Sequence, residues 1–295
     1  MNMIEAEIRH TLDKLSNDEP VEIEESWIDD AAEMFRLAMR KQFLPNDDHK
    51  EFRLRMSNIG RPLCQLQMQK AGAERTRKPY NHIIRMCIGD ATESIMEIVL
   101  RAAKTNITGG KDKVSLQIGD TLVKGENDIE VDGEVWDTKS ASPWAFSNKW
   151  SQGTDGLRKA DDFGYIAQLT GYSRGAGKKA GGWFVVNKST GEVAAVKSDL
   201  TDTEMDDVLE NVRIKAKLLE DNAPFQRCFE PEEETFYRKP TGSKRLPMTC
   251  SFCDYMKSCW PEAVHRPQTG SAAKSPKYYW YTEYAEQDKD TVSKG

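Results

Sequence analysis

Two aspartates nine positions apart, Asp128 and Asp137, stand in the stretch GENDIEVDGEVWDTKSAS (125–142), and Lys139 follows the second by two. Both acids sit among β-formers, Ile129, Val131, Val135 and Trp136, where acids are normally depleted. Asp132-Gly133 between alternating runs is a strong hairpin signal, and a hairpin there brings Asp128 back toward Asp137. Residues 137 and 139 then share a face, because side chains on a strand alternate with period two. Two carboxylates brought together repel unless a cation lies between them, and hard oxygen ligands of this kind suit magnesium or manganese. An ammonium beside them can orient or help deprotonate a water on that ion. Taken alone, the triplet is a weak signal and reads more often as a hairpin with charges on its wet face.

A second group is made of thiols. TCSFCDYMKSCWPEA gives Cys250, Cys253 and Cys259 in a C-x2-C-x5-C arrangement, and Cys64 lies far upstream in SNIGRPLCQLQ. Thiolates so spaced in a reducing compartment point to a metal or cluster rather than to disulfides. Spacing alone leaves structural zinc and an iron-sulfur cluster both open. The two other cysteines, Cys87 and Cys228, read as a helix-core thiol and a surface or half-buried one.

These residues need a frame. ESWIDDAAEMFRLAMRKQFL places Trp27, Ala31, Met34, Phe35 and Ala38 at helical spacing. IIRMCIGDATESIMEIVLRAA predicts a helix over about 84–104, with Gly89 as a break or a point of close packing. The texture then turns to short β-like runs, VSLQIG, TLVKGENDIEV and EVWDTKS. A helix at KADDFGYIAQLTGYSR follows, then strands GGWFVVNK and EVAAVKSD, then a long helix from TDTEMDDV to about Leu219. This order describes an α/β core flanked by helical ends. Residues 221–249 read as an irregular connection and the C-terminal stretch as a polar, mobile tail.

Between Lys139 and the Gln168 helix, SASPWAFSNKWSQGTDGLRKADD carries Trp144, Phe146 and Trp150 among turn formers, with Lys149, Arg158 and Lys159 nearby. Rings interleaved with cations suit a single-strand path, since base stacking contributes about 1–3 kcal/mol per base; the same rings could simply pack the loop onto the core. The formal net charge of −6 argues against a protein that coats nucleic acid through bulk positive charge. It leaves room for a nucleic-acid enzyme with local basic clusters such as ERTRKPYNHIIR, SRGAGKK and YRKPTGSKR. The absence of an eighteen-residue apolar run and of a signal-peptide pattern predicts a soluble cytoplasmic protein without membrane association.

GDATE puts Glu93 on the helix before the strands, and QLTGY puts Gln168 and Tyr172 one turn apart on the helix after them. With these in view the chain resembles the PD-(D/E)XK nucleases, specifically the RecB-like branch. The matching motifs run in order as Gly89 with Glu93, Gly125 with Asp128, Asp137-Thr138-Lys139, and Gln168 with Tyr172. The resemblance covers about residues 55–262 and implies a restriction-endonuclease-like α/β core, a mixed central sheet flanked by helices. Residues 1–54 would form a helical N-terminal region and 263–295 the tail.

By the same resemblance the protein is a magnesium- or manganese-dependent deoxyribonuclease. Asp128, Asp137 and the Thr138 carbonyl would hold the metal, with Glu93 binding directly or through water. Lys139 would act on the attacking water, while Gln168 and Tyr172 contact the DNA strand or steady the site. Glu93 stands where many relatives carry histidine, which implies a bias to magnesium. The cysteines resemble the iron staple of RecB-like nucleases, including the CRISPR-adaptation type, which implies a structural [4Fe-4S] cluster on Cys64, Cys250, Cys253 and Cys259, with zinc as the alternative. An exonuclease acting on linear or single-stranded DNA ends is the expectation. The rivals are a structure-specific endonuclease of the junction-resolving type and a non-catalytic nucleic-acid-binding module with a zinc site. DNA is the implied partner, with Trp144, Lys149, Trp150 and Arg158 as its contacts. A recombination or CRISPR-adaptation protein, a homo-oligomer, and a prokaryotic or phage-infected host are all compatible with it.

Overall fold

The computed structural model describes residues 3–44 and 52–285. Its first elements are α1 (Met3–Ser16), α2 (Glu25–Phe43), α3 (Leu63–Lys70) and α4 (His82–Ala102). Five strands follow: β1 (Ile107–Gly109), β2 (Lys113–Ile118), β3 (Thr121–Glu126), β4 (Ile129–Val131) and β5 (Glu134–Ala141). Then come α5 (Pro143–Asn148), α6 (Thr154–Lys159), α7 (Tyr165–Ala176), β6 (Lys179–Asn187), β7 (Val193–Lys197) and α8 (Asp202–Glu220). The chain ends with β8 (Glu232–Phe236), β9 (Lys239–Arg245), α9 (Met248–Ser251), α10 (Met256–Cys259), β10 (Val264–Pro267) and β11 (Tyr278–Glu283).

Two compact units result, one of Met1–Gly60 with Lys78–Leu218, the other of Arg61–Arg77 with Leu219–Gly295. This division differs from the expected 1–54, 55–262 and 263–295. The N-terminal helices belong to the first unit because Ile8 of α1 is fully buried in its core. The cysteine segment belongs with the C-terminal strands instead.

The first unit is a mixed α/β fold. Its five-stranded sheet runs β1-β4-β5-β6-β7, with β5 and β6 parallel and the other pairs antiparallel. A parallel pair needs a long crossover, and α5, α6 and α7 supply it. On one face Trp136 stacks on Phe184 at 4.6 Å and packs with Met96, Val99 and Leu100 of α4. The opposite face of β5 carries Asp137 and Lys139, and Lys139 lies over the ring of Tyr165, the first residue of α7.

The β4–β5 hairpin forms as the sequence predicts, with Ile129 opposite Trp136 and Val131 opposite Glu134. Its turn residues are left-handed, Asp132 at φ 55° and Gly133 at φ 75°, as a two-residue turn between twisted strands requires. The run TLVKGENDIEV is not one strand. Its first half, β3, pairs with β2 in a separate hairpin, and its second half, β4, joins the main sheet. Asn127 marks the change: it is fully buried, exchanges backbone and side-chain hydrogen bonds with Asp112, and donates from Nδ2 to Glu130 at 2.9 Å. Helix α4 passes Gly89 unbroken, and a Cβ there would meet nothing nearer than the Ser140 hydroxyl at 3.8 Å, so Gly89 is neither a break nor a close contact. Helix α7 begins at Tyr165, later than expected, because Asp161 accepts hydrogen bonds from the N–H groups of Tyr165 and Ile166.

The second unit corrects two expectations. Residues 221–249 contain the β8–β9 hairpin, and 263–295 contain β10 and β11 of the same four-stranded sheet, ordered β10-β11-β9-β8. The β8–β9 turn uses Tyr237 and Arg238 in left-handed conformations, residues that carry none of the usual turn signal. The rest of the expected tail, 286–295, lies outside the described residues. No helix among the described residues is long and apolar enough to cross a membrane.

Candidate metal site and cysteine cluster

The sheet change at Asn127 explains where Asp128 goes. Strand β4 pairs with β5 only as far as Ile129 opposite Trp136, so the next inward N–H of that edge, at Thr138, donates to Asp128 Oδ2 at 2.9 Å instead. In an extended strand the N–H and C=O of one residue point to the same side, so the Thr138 carbonyl is turned to this edge as well. Asp137 is 2 % exposed and lies within hydrogen-bonding reach of Asp128. Its other partner is the Lys139 ammonium, which pairs with Asp137 Oδ2 and is itself only 16 % exposed.

Burial first, then the neighbouring Asp128 carboxylate, pushes Asp137 up to about 7 despite the opposing pull of Lys139. Burial works to lower Lys139, but Asp137 and Asp128 outweigh it and hold the group above the ordinary lysine range. In this arrangement Lys139 is an ammonium that can donate and orient; it is not a base at neutral pH. Glu93 faces the same space from α4. Enclosure and the Asp128 charge push it up to about 7, while Lys111 and Lys139 pull it down.

Gln168 and Tyr172 share a hydrogen bond one turn apart on α7. Tyr172 is 6 % exposed, and burial raises its hydroxyl to about 12, with Asp128 and Asp137 adding to that. Tyr172 thus stands enclosed on the side of the two acids, with Gln168 as its hydrogen-bond partner. Gly125 makes this possible: a Cβ there would come within 2.8 Å of the Tyr172 ring and 2.6 Å of Met56.

The donor set of Glu93, Asp128, Asp137 and a strand-edge carbonyl suits a hard divalent ion. As the side chains stand, no three His, Cys, Asp or Glu groups among the described residues converge on one point that could hold an ion. Two ammoniums stand among the acids instead. Lys139 pairs with Asp137, and Lys111 lies 3.6 Å from Glu93 and 3.8 Å from Asp128. Sequence reasoning missed Lys111, whose single lysine after Gly109-Gly110 carries no periodic signal. It also missed Tyr165, which meets Lys139 at 5.1 Å and Lys149 at 5.9 Å from its ring centre.

The proposed DNA contacts separate. Trp144 is 68 % exposed on α5, whereas Trp150 is buried against Tyr165 and Trp183 and cannot line a path for bases. Lys149 stays at the Tyr165 ring. Arg158 is held by Asp155, Asp199 and Glu204 at 2.8–2.9 Å, so its charge is already matched within the unit.

In the second unit Cys64 on α3, Cys250 on α9, Cys253 and Cys259 share one neighbourhood, in which the Cys259 thiol helps to raise the other three. Leu246, Met256, Trp260 and Ala263 enclose Cys250. Burial leads in raising Cys250, to about 12, and in raising Cys253 and Cys259. Tyr255 N–H donates to Cys253 Sγ at 3.4 Å. The group has a fifth member: Cys228 Sγ accepts from the Cys64 N–H at 3.0 Å, and a hydrogen bond between the two thiols is the main cause, ahead of burial, of the raised Cys64 thiol. Cys228 is exposed, as read from the sequence, but it does not stand apart. The Arg227 guanidinium beside it rests on the Trp260 ring at 3.6 Å and donates to the Cys259 carbonyl at 3.1 Å. Cys87 lies on α4 in the first unit, half-buried.

No family model and no curated protein matches this chain. A solved structure described as "Crystal structure of SSO0001" is similar at 11 % identity and a TM-score of 0.41, over 76 % of this chain and 92 % of that one.

Proposed function

We propose that the first unit is a metal-dependent DNA nuclease on a restriction-endonuclease-like core, hydrolysing phosphodiester bonds from DNA ends. The observation that carries this reading is the pairing of Asp128 with Asp137 beside a buried, charged Lys139 at one strand edge. Such a pairing is costly unless a cation is meant to share it. Asp128, Asp137 and the Thr138 carbonyl would hold magnesium or manganese, with Glu93 direct or through water. The ion, when bound, supplies neutralisation of the phosphate charge and acidification of water. Lys139 contributes a fixed positive charge that orients water and stabilises negative charge on the phosphate. Gln168 and Tyr172 keep the two aspartates in register. Exposed Trp144 supports an approach by an unpaired strand, whose bases stack on such rings.

The thiol group of the second unit supports a structural [4Fe-4S] cluster on Cys64, Cys250, Cys253 and Cys259, for which zinc is the competing occupant. The test uses purified protein with magnesium and labelled linear duplex, single strand and covalently closed circle. Linear and single-stranded DNA should be degraded and the circle spared, and Asp128→Ala, Asp137→Ala and Lys139→Ala should each lose activity by several orders of magnitude. Equal cutting of the circle moves the reading to an endonuclease. Asp137→Ala within a few-fold of the parent removes the site assignment.

A further inference from the structure

The loop between β1 and β2 is built to put one ammonium among the acids. Lys111 has a left-handed backbone, φ 56°, which a lysine adopts only under constraint. Its N–H donates to the Asn127 carbonyl at 3.0 Å, Asp112 N–H donates to Asn127 Oδ1 at 2.8 Å, and Asn127 N–H donates back to the Asp112 carbonyl at 3.1 Å. Gly110 lets the loop approach so closely that a Cβ would stand 3.0 Å from the Asp128 carbonyl. The loop is thus clasped to the residue before Asp128, and the side chain reaches Glu93 and Asp128 together.

An ordinary surface ion pair contributes little and gives no reason to hold a lysine in a disfavoured conformation. Charge counting supplies one. With all three acids ionised, Glu93, Asp128 and Asp137 against Lys111 and Lys139 leave one negative charge, three minus two. A divalent ion added with both lysines in place would leave one positive charge in excess, so ion and lysine oppose each other. We propose that Lys111 is a resident counter-ion of the Glu93–Asp128 pair and competes with the divalent cation for it, leaving the pair as the ion binds. This rests on the reading of the site as a divalent-ion site.

Magnesium is titrated by calorimetry, without DNA, into the parent, Lys111→Gly and Lys111→Met at low ionic strength and one alkaline pH, 8.5. Glycine suits the left-handed backbone, so Lys111→Gly keeps the fold, which a thermal melt checks; methionine keeps the stem without the charge. Both variants should bind magnesium about threefold to tenfold more tightly than the parent. Lys104→Met, which removes an exposed pair with Glu22 at 3.2 Å, should bind as the parent does. Unchanged or weaker binding in both Lys111 variants, with clear binding by the parent, overturns the role of Lys111. Absence of binding by all forms overturns the reading of the site itself.

Discussion

Asp137 makes the stability of the metal-free protein depend on pH in a direction opposite to that of most carboxylates. Its ordinary value of 3.8 rises to about 7 in the folded chain, chiefly through burial. The folded state then holds a proton that the unfolded state releases, and the stability this contributes is complete below about 4 and lost as pH rises to about 7. A shift of this kind is worth on the order of a few kcal/mol, which matters in a protein whose whole margin is about 5–15 kcal/mol. Chelator-treated protein should therefore melt lower at pH 8 than at pH 5.5, and Asp137→Asn, which mimics the protonated acid, should reduce that difference, leaving the part that comes from Glu93, also pushed up to about 7. Magnesium should reverse the order. It binds the ionised carboxylates, so at a concentration a hundredfold above its dissociation constant it adds about 2.7 kcal/mol at pH 8 and little at pH 5.5. The assay is a thermal melt in four conditions, two pH values with and without magnesium. A parent and Asp137→Asn with the same pH dependence, or a magnesium effect as large at pH 5.5 as at pH 8, would refute the argument.

Other consequences are read more simply. Gly125→Ala forces a methyl group against Met56 and Tyr172, and should cost about 1–3 kcal/mol by overpacking, seen as a lower denaturation midpoint; an unchanged midpoint would mean that the ring does not rest on that strand. Anaerobically prepared protein should be brown with about four irons per chain, and Cys250→Ser should lose them while Cys87→Ser keeps them. Colourless protein with stoichiometric zinc replaces the cluster by a zinc site. Trp144→Ala should weaken single-strand binding about fivefold to a hundredfold without altering the melt, measured by fluorescence anisotropy; Trp150→Ala, in a buried position, should instead lower the melting point.

The sequence was most legible where local chemistry and global position agree. Asp132-Gly133 declares a left-handed turn whatever surrounds it, so the hairpin and the shared face of Asp137 and Lys139 follow from a few residues. The β8–β9 hairpin was hidden because Tyr237 and Arg238 take the same backbone region without the residues that usually announce it. Strand β11 had its own signal, Tyr278, Tyr279, Trp280 and Tyr281 in a row, which tail-like composition on either side obscured. Cys228 shows the reverse limit: its exposure is legible, but its contact with Cys64, 164 residues away along the chain, is one no spacing rule contains.

The acids illustrate why a motif in order is still not a site. The distance from Asp128 to Asp137 is set by how soon β4 stops, and β4 stops after three residues because the chain is crossing from one sheet to another at Asn127. Had TLVKGENDIEV continued as one strand of the main sheet, Thr138 would have given its N–H to a backbone carbonyl and Asp128 would have had no reason to turn inward. The buried amide of Asn127, clasped by Asp112 and Glu130, therefore fixes the geometry of the neighbouring carboxylate, and the same clasp holds Lys111 at its left-handed angle. One polar residue with no chemistry of its own thus positions both the acid and the lysine that faces it.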